Sequence, residues 1–128
     1  MKLHHIGYVV KSIIKFKKEQ LLLGSSDPIL VFDDFNQSAR VEFYFLKTDL
    51  YLELIEPLKS NSHFTKFLQK NPYGGLHHFC YESKVIQDDI MHMKEKKYRQ
   101  ITQISKGFES RDIVFFMPMK ITAPLIEI

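Results

Sequence analysis

Cysteine is almost absent from this chain of 128 residues: there is one, Cys80. That excludes an internal disulfide framework and fits a reducing compartment. Long apolar runs are missing as well, since no stretch approaches the ~20 residues a membrane helix needs. The N-terminal run MKLHHIGYVV is interrupted by His4 and His5 where a secretory leader would be unbroken. A cytoplasmic globular chain with no membrane partner is therefore expected. There is no Gly-rich phosphate loop of the Walker or dinucleotide type, and no basic stripe interleaved with exposed aromatics. Nucleic acid is accordingly not an expected partner. The net charge of +3 traces to lysines in KSIIKFKK and KEKKYR, which read as solvated helix faces.

What is present is ordinary for a globular protein, with 45% hydrophobic and 26% charged residues. The length suits one domain, or two small half-domains sharing a core. KLHHIGYVV reads as a strand, and KSIIKFKKEQLLLG as a helix stopped by Gly24. PILVFDD, ARVEFYFLK and LYLELIEP follow as strands, the last two joined by a Thr48-Asp49 hairpin turn. SNSHFTKFLQKN is a connecting helix, capped by Ser60 or Asn61, and the Pro72–Gly75 stretch breaks the chain.

The pattern then recurs. GLHHFCYE is a strand, SKVIQDDIMHMKEKKY a helix opened by Ser83, and RQITQIS, RDIVFFMP and APLIEI are strands. The order is βαβββ, linker, βαβββ, an α+β arrangement with a covering helix in each half. LHHIGYVV matches LHHFCYES, and LELIEP matches PLIEI, so an internal duplication of roughly 55 residues is the economical reading. The modules span about 1–58 and about 74–128, with a linker helix at about 59–73.

Residues two apart on a strand share a face. Ile6, Tyr8 and Val10 form an apolar row suited to a covering helix, which turns His5 the other way. Phe79 and Tyr81 form the matching row with His77, leaving His78 opposite with Cys80. Leu52 and Leu54 leave Glu53 opposite, and Ile126 and Ile128 leave Glu127 opposite. His4 and His77 go to the helix side as core or edge residues.

Any one of these four polar residues alone would be a half-buried strand residue. At equivalent places in two repeats, His5, Glu53, His78 and Glu127 point to a metal site. Two neutral imidazoles and two carboxylates suit one divalent ion: Ni²⁺, Co²⁺, Zn²⁺, Fe²⁺ or Mn²⁺. If Thr48-Asp49 is a two-residue loop, Tyr44 pairs with Glu53 and Glu42 joins the metal face as a second base. A slip of one residue would put Phe43 there instead. Cys80 is expected to be a small packing residue rather than a nucleophile.

The words LHHIGYVV, the stretch LELIEPLKSNSHFTKFLQKNPYGGLHHFCYE and PLIEI resemble the vicinal oxygen chelate superfamily, and within it methylmalonyl-CoA epimerases and glyoxalase I-like proteins. That resemblance implies a cupped, half-barrel mixed sheet with its helices outside, and places the family's metal ligands on His5, Glu53, His78 and Glu127. It implies a homodimer and a metal-dependent isomerase or lyase that moves a proton next to a chelated carbonyl or thioester. Glu127 is the expected base and Glu53 the second choice. The expected substrate is an acyl-CoA or a thiol-conjugated carbonyl compound. An epimerase stands first, a glyoxalase I-type lactoylglutathione lyase second, and a non-catalytic resistance-type binder third. The chain departs from the epimerase pattern at KGFESRDIVFF, where relatives carry a Gly-rich loop.

Overall fold

Alternation along the strands decides which side chains meet each helix, and it does so separately in two compact units. A computed structural model describes residues 1–119 and 124–128 of the chain. One unit comprises residues 6–77, the other residues 1–5 and 78–128. Three α-helices and ten strands are present among the described residues, in an α+β arrangement.

In residues 6–77 the strand order is β2-β3-β4-β1, from β1 (Lys2–Val9), β2 (Leu30–Asp34), β3 (Ala39–Lys47) and β4 (Leu50–Pro57). Helix α1 (Ile13–Glu19) starts where the Ser12 side chain accepts from Lys15 N–H at 3.2 Å and Glu56 accepts from Ile13 N–H at 2.9 Å. Two of the helix's unpaired N–H groups are thereby satisfied. The core joins Val10, Ile13, Leu23, Tyr44, Leu52 and Leu54, with Ile6, Tyr8, Phe16 and Leu46 against it. This is the apolar row expected from alternation.

Helix α1 stops five residues before Gly24, because Gln20 is extended. Leu21 and Leu22 are then exposed, and only Leu23 returns to the core. Helix α2 (His63–Lys70) is capped by Ser62, which accepts from Thr65 N–H at 3.1 Å, and not by Ser60 or Asn61. Gly74 follows with φ of 79°, and a Cβ there would lie 2.6 Å from the Val9 carbonyl oxygen. Only glycine meets both demands.

The other unit begins with Lys2–His5 of β1 beside β5 (Gly75–Glu82), which enters it at His78. Its order is β1-β5-β10-β9-β6, with β10 (Leu125–Glu127) parallel to β5 and antiparallel to β9 (Phe115–Met117). Ala123, the first residue of the expected APLIEI strand, lies outside the described residues. Helix α3 (Ile86–Glu95) packs Ile90 and Met93 on Val114, Phe116 and Ile128, with Tyr81, Ile86, Tyr98 and Ile126 around them. Tyr81, Ile126 and Ile128 thus face the helix, as their spacing indicated. Ser83 does not open the helix directly; its hydroxyl bonds the Asp89 carboxylate.

The two long strands expected between 99 and 118 are broken into short pieces. β6 is Arg99–Gln100, β7 is Ser105–Lys106 and β8 is Asp112–Ile113. Val114 causes part of the break by exchanging both backbone bonds with Ile128, at 2.9 and 3.1 Å. β7 and β8 form a separate two-stranded ladder around a short turn at Phe108–Ser110, where Glu109 and Ser110 are left-handed. No helix among the described residues is long and apolar enough to cross a membrane.

Candidate metal centre

Three strands of the second unit bring three polar side chains to one point. His5 comes from β1, His78 from β5 and Glu127 from β10, each opposite an apolar neighbour that faces a helix or core. They are 2%, 2% and 6% exposed. Burying two imidazoles and a carboxylate is unfavourable unless each finds a charge or polar partner.

The three side chains lie close together. His5 Nε2 and His78 Nε2 are 3.3 Å apart; Glu127 Oε1 stands 3.7 Å from the first and Oε2 3.7 Å from the second. Those carboxylate distances exceed a hydrogen bond. Ligand atoms bound ~2.1 Å from a common ion at tetrahedral or octahedral angles lie roughly 3.0–3.4 Å apart. The two nitrogens are at that spacing and the carboxylate lies a few tenths of an ångström outside it, with one ligand atom from each residue within 4.8 Å of the others. The two-nitrogen, one-carboxylate set suits a borderline divalent metal. The rings of His5 and His78 are edge to face, with centroids 5.4 Å apart, and Phe115 packs on His78 in the same way.

Glu53 stands in β4 of the other unit, half-buried between Leu52 and Leu54 and opposite Phe43. Alternation turns it away from the core that holds its two neighbours. Cys80 is buried, pairs in register with Glu127, and forms a second close group with His4 and His5. His77 is buried at an aromatic cluster in residues 6–77, where its Nε2 lies 3.0 Å from His63 Nε2 and its ring meets Phe64 and Phe67. That is the packing role its parity gave it.

Glu42 is a correction. Phe45 pairs with Tyr51 but Lys47 with Leu50, so β3 carries one extra residue before the hairpin. The bulge puts Phe43, not Tyr44, opposite Glu53 and turns Glu42 to the helix side. There the Tyr44 hydroxyl donates to Glu42 Oε1 at 2.6 Å, and Arg40 Nε donates to Oε2 at 3.1 Å. Burial, then the bond to Glu42 and its charge, raise the Tyr44 phenol well above its ordinary value.

His4, sent by alternation to the helix side, also approaches this group. Its Nδ1 lies 2.8 Å from His5 Nδ1, its ring meets Phe108, and its Nε2 is 3.9 Å from Glu82. Burial, reinforced by His5, holds the His4 imidazole below its ordinary value. The HHxG doublet was the available signal; the turn that supplies Phe108 was not legible. A cavity of about 460 Å³ opens beside the centre, lined by His4, His5, Cys80, Phe108, Arg111 and Glu127 among others. That volume is in the range of small-molecule sites.

Known proteins share both sequence and architecture with this chain. Residues 4–115 match the glyoxalase/bleomycin resistance protein/dioxygenase superfamily. The chain is 38% identical over 78 residues to the mitochondrial methylmalonyl-CoA epimerase of Mus musculus, a stretch covering 60% of this chain and 44% of that one. The match thus spans less than half of the curated relative's length. A hypothetical protein from Bacillus halodurans C-125 superposes with a TM-score of 0.86 at 29% identity, covering 98% of this chain and 91% of its own. A variant of Streptomyces coelicolor methylmalonyl-CoA epimerase in complex with 2-nitronate-propionyl-CoA has a TM-score of 0.81 at 20% identity, with 99% and 94% covered. At that identity the likeness speaks to fold alone. The family match runs from the His4-His5 doublet to Phe115, the ring that packs on His78, and on that span the chain belongs to the glyoxalase/bleomycin resistance protein/dioxygenase superfamily.

Proposed function

We propose that this chain is a metal-dependent isomerase that removes and returns the proton α to the thioester of an acyl-CoA, in the manner of a methylmalonyl-CoA epimerase. The observation that carries the reading is the buried His5, His78 and Glu127 set, with its ligand atoms within 4.8 Å of one another. Superfamily membership and the epimerase relative support the substrate class.

His5, His78 and Glu127 hold one divalent ion of the Ni²⁺, Co²⁺, Zn²⁺, Fe²⁺ or Mn²⁺ series, and Glu53 is the proposed fourth ligand. Such an ion supplies Lewis-acid stabilisation of negative charge on a carbonyl oxygen. Glu127 is the base. A carboxylate has two oxygens, and one of them accepts the α-proton while the electron pair of the broken C–H bond moves onto the substrate's oxygen. Inversion needs a proton on the opposite face of the planar enolate, and a second group, for which Glu53 is the candidate, delivers it there. Phe115 and the buried ring of His78 keep bulk water from the carboxylate, and the cavity beside Cys80 and Phe108 admits the acyl group. The protein is further proposed to act as a cytoplasmic homodimer, which light scattering and cell fractionation test.

The deciding experiment is isotope exchange. Protein loaded with Co²⁺ or Zn²⁺ is incubated in D₂O with methylmalonyl-CoA, and the α-position is followed by NMR. Metal-dependent loss of the α-proton signal is expected. Exchange only with the methylglyoxal–glutathione adduct would make it a glyoxalase I-type lyase instead. Tight ligand binding without exchange of either compound would make it a non-catalytic binder.

A further inference from the structure

His4 and His5 are neighbours on a strand, so their side chains should diverge, yet their Nδ1 atoms lie 2.8 Å apart. One proton occupies such a gap, and it links the tautomers of the two rings. If His5 donates, its Nε2 keeps a lone pair. If His4 donates, His5 Nε2 carries the proton and cannot ligate a cation. Imidazole in water favours the Nε2–H form, so the ligating form of His5 has to be selected.

The far side of His4 makes the selection. His4 Nε2 faces Glu82 Oε1 at 3.9 Å, and Arg111 Nη1 holds the same oxygen at 3.2 Å. At 3.9 Å the carboxylate makes no hydrogen bond to Nε2, but its negative charge favours a proton on the nitrogen that faces it and so favours Nδ1 as the acceptor. The rings cross at 80° with centroids 5.1 Å apart, and Phe108 packs 5.7 Å from the His4 centroid, which limits its rotation. We infer that His4 is a positioning residue: set by Glu82 and Arg111, it accepts a hydrogen bond from His5 Nδ1 and keeps His5 in the tautomer that presents Nε2 to the cation. The inference rests on the reading of His5 as a ligand and extends it one residue outward. Partners of this kind usually change metal affinity by about 10–100-fold.

The test compares His4→Leu, which removes the acceptor, with His4→Asn, whose Oδ1 takes the place of Nδ1 and can only accept. Zinc affinity is measured by chelator competition, and the His5 tautomer by long-range ¹⁵N NMR of the metal-free protein. His4→Leu is expected to weaken zinc binding about 10–100-fold and shift His5 toward the Nε2–H form. His4→Asn should restore both. Glu82→Leu, at a half-exposed position, should shift the tautomer in the same direction without altering a histidine, and serves if His4→Leu does not fold.

An unchanged His5 tautomer in His4→Leu, or no recovery in His4→Asn, overturns the inference. So does a thiolate-to-Co²⁺ band abolished by Cys80→Ser, which would mean that His4, His5 and Cys80 chelate the ion directly. The tautomer readout needs no substrate and no metal. Failure of α-proton exchange would therefore count against the proposed function while leaving this result standing.

Discussion

His5 Nε2 and His78 Nε2 stand 3.3 Å apart although the two residues are 73 positions apart in the chain. Within β5 the histidine that makes this approach is the second of an adjacent pair, and alternation sends the first to the opposite face. His78→Ala should reduce bound metal to background, since it removes one ligand and leaves Glu127 with a single imidazole. His77→Ala should keep metal near one ion per chain, with a stability cost of about 1–3 kcal/mol from lost packing. Elemental analysis of the two variants checks this. Equal loss in both would refute the assignment of faces.

Glu127→Gln preserves shape and an oxygen ligand but removes the charge that accepts a proton. Metal should be retained, though more weakly, while α-proton exchange falls by about 10²-fold or more. Full exchange in the metal-loaded variant would leave Glu127 as a ligand only.

Glu42 gives the opposite expectation. It is held on the α1 side by Tyr44 and Arg40. Glu42→Gln should leave metal content and the exchange rate of folded protein within about twofold of the original, with a loss of about 1–3 kcal/mol in urea unfolding as the buried network is weakened. A large fall in exchange at unchanged stability would restore Glu42 as a base.

These contrasts indicate what was legible. Facing was readable wherever a strand kept its period of two, so Ile6 and Tyr8, Leu52 and Leu54, and Ile126 and Ile128 all met a helix-side core as expected. Register was not, because the bulge between Phe45 and Lys47 carries no glycine or proline to mark it. The end of α1 was hidden by Leu21–Leu23, whose apolar character continues past the last helical residue. The broken strands after α3 depend on Val114 pairing with Ile128, a contact between distant residues that no local pattern announces. His4 was missed for a similar reason. It meets Phe108 from a turn built on left-handed Glu109 and Ser110, at positions where glycine would ordinarily signal such a turn.

Stability should depend on pH through His63. Burial of part of its ring, and then Lys66, lower its imidazole below the ordinary 6.5. The unfolded chain therefore binds a proton at a pH where the folded one does not, and stability rises with pH across that interval. The contribution is complete above about pH 6.5 and is lost as pH falls from there toward the lowered value. Urea midpoints at about pH 7.5 and about pH 5.5 should fall more steeply in the original protein than in His63→Phe. Equal slopes would exclude His63 as the source.

Anomalous diffraction from crystals grown with Zn²⁺ or Co²⁺ tests the account at its centre. The expected result is one peak per chain, roughly 2.0–2.2 Å from His5 Nε2, His78 Nε2 and a Glu127 carboxylate oxygen, with Glu53 as the next ligand. A peak elsewhere, or none at these three residues under saturating metal, would contradict it.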